Sequence, residues 1–314
     1  MKYRKLGRTG LDVSVLSFGA SSLGSVFRET NEAEGLKTVH AAIDSGINYI
    51  DVSPYYGLMK AETALGKAIK DIPRDKFLLS TKAGRYGADD FDFSEKRIVA
   101  SVEESLTRLN TDYIDILYLH DIEFVSSDII LEEAIPTLNR LKEQGKIRYS
   151  GICGLPMQLF ETLLPQVDVD AIISYCHYSL NDTALLELLP LLESKNVGLV
   201  NASPLSMGLL STRGTPDWHL ASVDLKAACK QAADYCASKG QDIAKLAVQY
   251  STSNERIPTT LVSTANPDNI RNNAKWTDEP MDEELLWEVL AILAPIHNHS
   301  WVSGRPEYNK HIIE

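Results

Sequence analysis

The chain has 314 residues and a formal net charge of −12 at neutral pH, an acidic balance that disfavours a nucleic-acid or anionic-membrane partner. No run of about 18 apolar residues is present to span a bilayer, and Met1-Lys2-Tyr3-Arg4-Lys5 leads into no apolar signal segment. With 44% apolar and 24% charged residues, the composition is that of a soluble chain able to bury a sizeable core, and a cytosolic setting is expected.

Leu6-Gly7-Arg8-Thr9-Gly10 is a turn signal between two short extended runs, which predicts a β-hairpin from Tyr3 to Leu16. Val15 to Gly19 reads as a first core strand. Asn31 and Glu34 form a capping-box pattern ahead of Leu36, Val39 and Ile43 on one helical face, with Gly46 at the stop. Ile47 to Asp51 is a second strand, followed by a helix marked by Leu65, Ile69 and Ile72 and ended by Pro73. Phe77 to Lys82 is a third strand, and Ile98, Val102, Leu106 and Leu109 mark the next helix. Ile114 to His120 is a fourth strand. Leu131 to Gln144 is helical, and Pro136 within it must sit in a first turn or cause a kink. Ile147 to Cys153, Ala171 to Tyr175, Val197 to Asn201 and Thr260 to Ser263 complete the strands. Between and after them lie helices around Leu159 and Leu163, Leu185 to Leu192 (interrupted by Pro190), Leu225 to Tyr250 (broken at Gly240), Pro267 to Ala274 and Met281 to Leu293.

Eight apolar strands alternating with helices predict an α/β fold, a (β/α)8 TIM barrel. It forms a single domain over residues 1–314, with an N-terminal β-hairpin and an extra C-terminal helix and loop. A doubly wound sheet would carry a GxGxxG turn after its first strand, and Gly19-Ala20-Ser21-Ser22-Leu23-Gly24 does not match. Cys153, Cys176, Cys229 and Cys236 have no CxxC spacing and read as reduced, buried thiols. His297 and His299 lack a third ligand nearby, so no metal is expected.

In a barrel, side chains at the carboxyl ends of the strands converge on one mouth. Asp51, Lys82 and His120 close three successive strands, and Tyr55 and Tyr56 stand in the loop after the first. A tyrosine titrates near 10, and a neighbouring ammonium lowers that value. A carboxylate would keep the ammonium charged in a poorly solvated site. Asp51, Lys82 and Tyr56 thus predict a relay that tunes a phenol for proton transfer, with His120 hydrogen-bonding the reacting oxygen. Residue type and position leave Tyr55 and Tyr56 as equal candidates for the active hydroxyl.

Asp51…Tyr56-Gly57, Ser80-Thr81-Lys82 and Leu119-His120-Asp121 resemble the catalytic Asp–Tyr–Lys–His set of the aldo-keto reductases, and the likeness runs from Leu6-Gly7-Arg8-Thr9-Gly10 through Ser203-Pro204-Leu205 to Asn266-Pro267. Ser80 to Gly87 and His120 to Phe124 are most similar to the sugar-oxidising branch. The resemblance selects Tyr56 as the active hydroxyl. It implies a nicotinamide cofactor across the mouth, with its pyrophosphate near Ser203, Pro204, Leu205, Met207 and Gly208. The adenosine end would lie near Ser263, Thr264, Asn269, Asn272 and Asn273, and the carboxamide near Cys153 and Tyr175. Members preferring NADP carry basic residues at the positions of Ser263 and Asn269, which implies NAD here. The implied reaction oxidises a free aldose at C1 to its lactone, with L-galactose on an ascorbate-forming route as the favoured case. Tyr56 is the base, and Trp218 and Trp301 wall the sugar. The alternatives are an NADP-dependent aldehyde or pyridoxal reductase, or a nicotinamide-binding regulatory subunit of a channel. A monomer or homodimer is expected.

Overall fold

The computed structural model describes residues 1–26 and 28–310. Strands β1 (Tyr3–Lys5) and β2 (Asp12–Ser14) pair antiparallel with Tyr3 opposite Ser14, and a 3-10 turn at Gly7–Thr9 joins them. This is the expected hairpin. Leu6 and Val13 are buried among Tyr49, Ile116, Tyr118, Ile173 and Val200, and Tyr149 Oη donates to Thr9 O at 2.9 Å. The hairpin therefore plugs the amino-terminal end of the strands and leaves the other end as the mouth.

The eight remaining strands are β3 (Leu16–Gly19), β4 (Tyr49–Asp51), β5 (Leu78–Ala83), β6 (Ile114–Leu119), β7 (Ile147–Gly154), β8 (Ala171–Tyr175), β9 (Gly198–Ala202) and β10 (Thr259–Ser263). They run parallel in sequence order and close into a barrel where Val262 pairs beside Phe18. Nearly every strand residue is buried on both sides, as a parallel sheet wrapped in helices requires.

Outside lie α1 (Glu32–Asp44), α2 (Lys60–Ile69), α3 (Glu95–Leu109), α4 (Ile135–Glu143), α5 (Met157–Leu163), α6 (Leu185–Lys195), α7 (Val223–Ser238), α8 (Ile243–Ser253), α9 (Pro267–Trp276) and α10 (Glu283–Leu293). The Asn31 side chain caps α1 by accepting from Glu34 N–H. Pro136 falls in the first turn of α4, behind a π turn at Ile130–Ala134. In that wider turn Ile135 N–H donates to Ile130 O just ahead of the proline, which has no N–H of its own. Pro190 sits inside a continuous α6, so no break occurs there. Gly240 does divide α7 from α8. The four cysteines are free and buried.

The last segment folds back toward the loop after β6. Glu123 O accepts from Arg305 N–H at 2.9 Å, and Asn309, itself buried, binds Ser303 and Arg305. A second, local contact sets how close α2 lies to α3. A Cβ added at Gly66 would stand 1.9 Å from Arg108 O. Gly66→Ala is therefore expected to lower stability by about 1–3 kcal/mol, read as a fall in Tm by calorimetry. An unchanged Tm would show that the two helices can separate freely.

Candidate active site

Alternation along the strands aims the site. On β5, Ser80 and Lys82 face the barrel interior, while Thr81 points out to donate to Glu62 at 2.6 Å. On β4, Tyr49 and Asp51 face in, and on β6 Tyr118 faces in just ahead of His120. His120 N–H continues the ladder by donating to Ala83 O at 2.8 Å.

Lys82 is 2% exposed, and its ammonium is fully satisfied. It pairs with Asp51 Oδ1 and donates to Val52 O at 3.0 Å and to Tyr56 Oη at 3.1 Å. Asp51 Oδ2 accepts from Ser80 Oγ at 2.7 Å, Ser80 accepts from Tyr49 Oη at 2.9 Å, and the Tyr49 and Tyr118 hydroxyls lie 3.1 Å apart. A hydroxyl chain below thus holds the carboxylate, the carboxylate holds the ammonium, and the ammonium meets one phenol at the mouth. That phenol belongs to Tyr56. Tyr55 Oη instead accepts from Arg85 at 3.2 Å, so the geometry separates the two tyrosines.

Tyr56 is fixed by a close backbone approach. Gly57 has φ +63° and lies so near Gly24 that a Cβ would stand 2.0 Å from Gly24 O. Only glycine fits there, which accounts for the Tyr-Gly pair after β4.

Burial opposes the charge on Lys82, yet Asp51 and Tyr56 hold its pKa above the ordinary lysine value. Burial lifts Asp51 above the ordinary carboxylate range, against the pull of Lys82 and Ser80. Burial likewise raises the Tyr56 phenol, and Lys82 lowers it by less. The expectation of an unusually acidic phenol is therefore corrected for the free protein. The ammonium moderates the phenol but does not overcome its desolvation. Burial pushes His120 down to about 3, with Asp121 opposing and Lys82 and Arg85 assisting, so the imidazole is neutral at ordinary pH.

Several neighbours escape the strand-end reasoning. Ser53 Oγ lies 3.0 Å from His120 Nδ1. Arg85 pairs with Asp121 at 2.6 Å and lies over the Tyr55 ring at 4.0 Å, and Tyr175 Oη donates to Asp121 at 3.3 Å. Glu123 is fully buried and pushed up to about 8 by burial and Asp121. Its Oε1 accepts from Leu155 N–H and Ser303 Oγ, which ties the C-terminal segment to the mouth. The nearness of Arg85 and Asp121 in sequence to Lys82 and His120 was the one available signal. His120, Asp121 and Cys153 bring potential ligand atoms within 4.8 Å of one another. Asp121 is committed to Arg85 and Tyr175, and Lys82 adds positive charge, so the group is a hydrogen-bond network and not a cation cradle.

The loop after β9 curls tightly. Ser203, Ser206 and Met207 have φ of 59°, 46° and 55°, and Gly208 104°, a tight curl in which Ser206 N–H donates to Ser203 O at 2.8 Å and Gly208 N–H to Leu205 O at 3.0 Å. Ser206 Oγ donates to Asn181 at 2.6 Å and Ser206 O lies 3.1 Å from His219 Nε2, which holds the curl. Pro204 and Leu205 lie within it. At the end of β10, Ser263 Oγ accepts from Ser21 Oγ and Ser22 N–H at 2.8 and 3.0 Å. Asn269 Nδ2 reaches Thr264 Oγ1 at 3.5 Å. Asn272 and Asn273 follow one turn along α9, and Arg271 is turned to Asp268 at 2.9 Å. Trp301 is buried edge-on against His219, whereas Trp218 is 47% exposed, so the two expected walls differ in environment. His297 is a loop residue 3.0 Å from Thr183 Oγ1.

The model of the aldo/keto reductase family matches residues 15–293. The chain is 49% identical to L-galactose dehydrogenase of Arabidopsis thaliana over 97% of its own length and 98% of that protein's. It is 37% identical to D-arabinose 1-dehydrogenase of Saccharomyces cerevisiae, over 77% of this chain and 76% of the other. Among solved structures, the holo form of an aldo-keto reductase from Bacillus halodurans superposes with a TM-score of 0.77 at 27% identity, covering 96% of this chain and 98% of that one. Family model, relatives, closed barrel and the Asp51–Lys82–Tyr56 contacts agree, and the chain belongs to the aldo/keto reductase family.

Proposed function

We propose that this protein is an NAD-dependent dehydrogenase that oxidises a free aldose at C1 to its lactone. L-galactose is its best substrate, and the lactone is of the kind an ascorbate-forming route consumes. The observation that carries the reading is the buried ammonium of Lys82 held by Asp51 against the Tyr56 hydroxyl at 3.1 Å, beside a neutral His120. The choice of sugar rests on the near full-length identity with the Arabidopsis enzyme.

The residues present fit a dinucleotide. In the loop from Ser203 to Gly208 the N–H groups of Ser206 and Gly208 are held by Ser203 O and Leu205 O, which leaves those of Leu205 and Met207 to meet a pyrophosphate. Ser263, Thr264, Asn269, Asn272 and Asn273 offer uncharged polar groups at the β10 end, and Cys153 and Tyr175 would hold the carboxamide. Neither Ser263 nor Asn269 supplies the charge-assisted bonds that a 2′-phosphate needs, and Arg271 is engaged by Asp268. When bound, the nicotinamide supplies the hydride-accepting chemistry.

In the oxidative direction Tyr56, as phenolate, takes the proton of the C1 hydroxyl. Lys82 stabilises that phenolate, and Asp51 keeps Lys82 charged and aimed. His120 holds the same oxygen by a hydrogen bond. Trp218 and Trp301 would wall the rest of the sugar. Because burial raises the Tyr56 phenol, its basic form is scarce at neutral pH and grows tenfold per pH unit.

On a panel of aldoses with NAD and NADP, followed by reduced nicotinamide absorbance, L-galactose with NAD is expected to give the highest kcat/KM. NADP should be at least about tenfold poorer, and Ser263→Lys with Asn269→Arg should narrow that gap. Equal use of both dinucleotides would contradict the pocket assignment. Absence of turnover on every aldose would favour the regulatory or aldehyde-reducing alternatives.

Tyr56→Phe is expected to cut kcat by about 10²–10⁴ with dinucleotide affinity retained, measured by titration calorimetry. Wild-type turnover in that variant would remove Tyr56 from the base role. The pH profile of oxidation should climb through neutral pH with no inflection in the ordinary histidine range, since His120 is pushed down to about 3. A limb near 6.5 that vanishes in His120→Gln would contradict this.

A further inference from the structure

Ser53 lies in the loop after β4, two residues beyond Asp51, and has no exposed surface. Its Oγ accepts from Tyr55 N–H at 3.1 Å, a local turn that fixes where the oxygen sits. The same oxygen is 3.0 Å from His120 Nδ1. A serine hydroxyl has one hydrogen to give and two lone pairs to fill. Tyr55 fills one lone pair, which leaves two arrangements for the His120 contact.

In the first, His120 Nδ1–H donates into the second lone pair. The serine hydrogen then has no acceptor among the described residues, inside a side chain that water does not reach. In the second, the hydroxyl donates to Nδ1, and the ring proton of a neutral imidazole is on Nε2. Only the second satisfies both the Ser53 hydroxyl and His120 Nδ1, and buried polar groups are rarely left unsatisfied. An independent contact on the far side of the ring agrees. Asp121 Oδ2 lies 3.6 Å from Nε2. An N–H facing that carboxylate is attracted, and a nitrogen lone pair facing it would be repelled. The ring is packed edge-on against Tyr55 and Tyr56 at 5.8 and 5.6 Å between centroids, contacts that favour this orientation.

We propose that Ser53 is a positioning residue that fixes His120 as the Nε2–H tautomer, so that the imidazole offers the substrate oxygen a hydrogen-bond donor and cannot serve as its base. The inference rests on the reaction proposed above and deepens it. During oxidation the C1 hydroxyl proton goes to Tyr56 alone and the C1 hydrogen would leave as hydride to the nicotinamide, while Nε2–H bonds to the oxygen as its C–O bond gains double-bond character. In the reverse direction the same N–H polarises a carbonyl. His120 could accept a proton only at Nδ1, by displacing the Ser53 hydrogen bond and forming a cation beside Lys82 and Arg85.

The direct test is nitrogen-15 NMR of the imidazole rings in the free, full-length protein labelled at its seven histidines, with the His120 signals assigned by their loss in His120→Asn. Nδ1 is expected at the shift of an unprotonated ring nitrogen and Nε2 at that of a protonated one, unchanged from about pH 5 to 8. Ser53→Ala should move both shifts toward intermediate values and lower kcat on the order of tenfold, with dinucleotide affinity unchanged. Ser53→Thr, which keeps the hydroxyl, should restore both. A protonated Nδ1 in the wild type, or His120 shifts indifferent to Ser53→Ala, would overturn the assignment. The spectrum needs no substrate. An Nε2–H ring in a protein that turns over no aldose would therefore sink the dehydrogenase reading and leave the Ser53 assignment standing.

Discussion

An ammonium and a carboxylate buried together at the top of a parallel barrel are costly to place, since each alone would lose its hydration without return. Here the cost is offset by full satisfaction. Lys82 reaches Asp51, Val52 O and Tyr56, and Asp51 is held from below by Ser80 and the Tyr49 and Tyr118 hydroxyls. The hairpin plug at the other end keeps this polar column out of water from beneath. What remains open is the mouth, where the Tyr56 oxygen ends the chain of contacts. The rest of the barrel can be seen as the rigid holder that keeps three strand ends in register around that oxygen.

The loops add what the strands cannot. The Gly24–Gly57 approach fixes the backbone beside Tyr56, and Arg85 with Asp121 builds a charged wall over Tyr55. Glu123 ties the C-terminal segment to the loop after β6. The curl from Ser203 to Gly208 closes on its own carbonyls and is pinned by Asn181 and His219. These features come from different βα loops, which is how one barrel supports varied substrates without altering its core.

Strand order, helix order and the strand-end trio could be read from the sequence because all three rest on local pattern: apolar runs, caps, and polar residues at their ends. The π turn that accommodates Pro136 could not, since it depends on how a helix already packed responds to a missing N–H. The separate fates of Tyr55 and Tyr56 could not be read from residue type either, because only the fold brings Arg85 to one and Lys82 to the other. Ser53, Glu123 and the Arg85–Asp121 pair were hidden for the same reason, each gaining its meaning from a partner on another loop. The expected acidity of Tyr56 failed on a different point. A neighbouring charge can be read from residue order but burial depth cannot, and depth is the larger effect.

If burial holds the phenol up and positive charge pulls it down, a cationic nicotinamide arriving at the mouth should tip the balance toward phenolate. The most direct measurement is an ultraviolet titration of phenolate absorbance, taken as wild type minus Tyr56→Phe, with and without the oxidised dinucleotide. The account predicts a single phenol whose midpoint falls when the dinucleotide binds. A midpoint that stays in place, or rises, would contradict it.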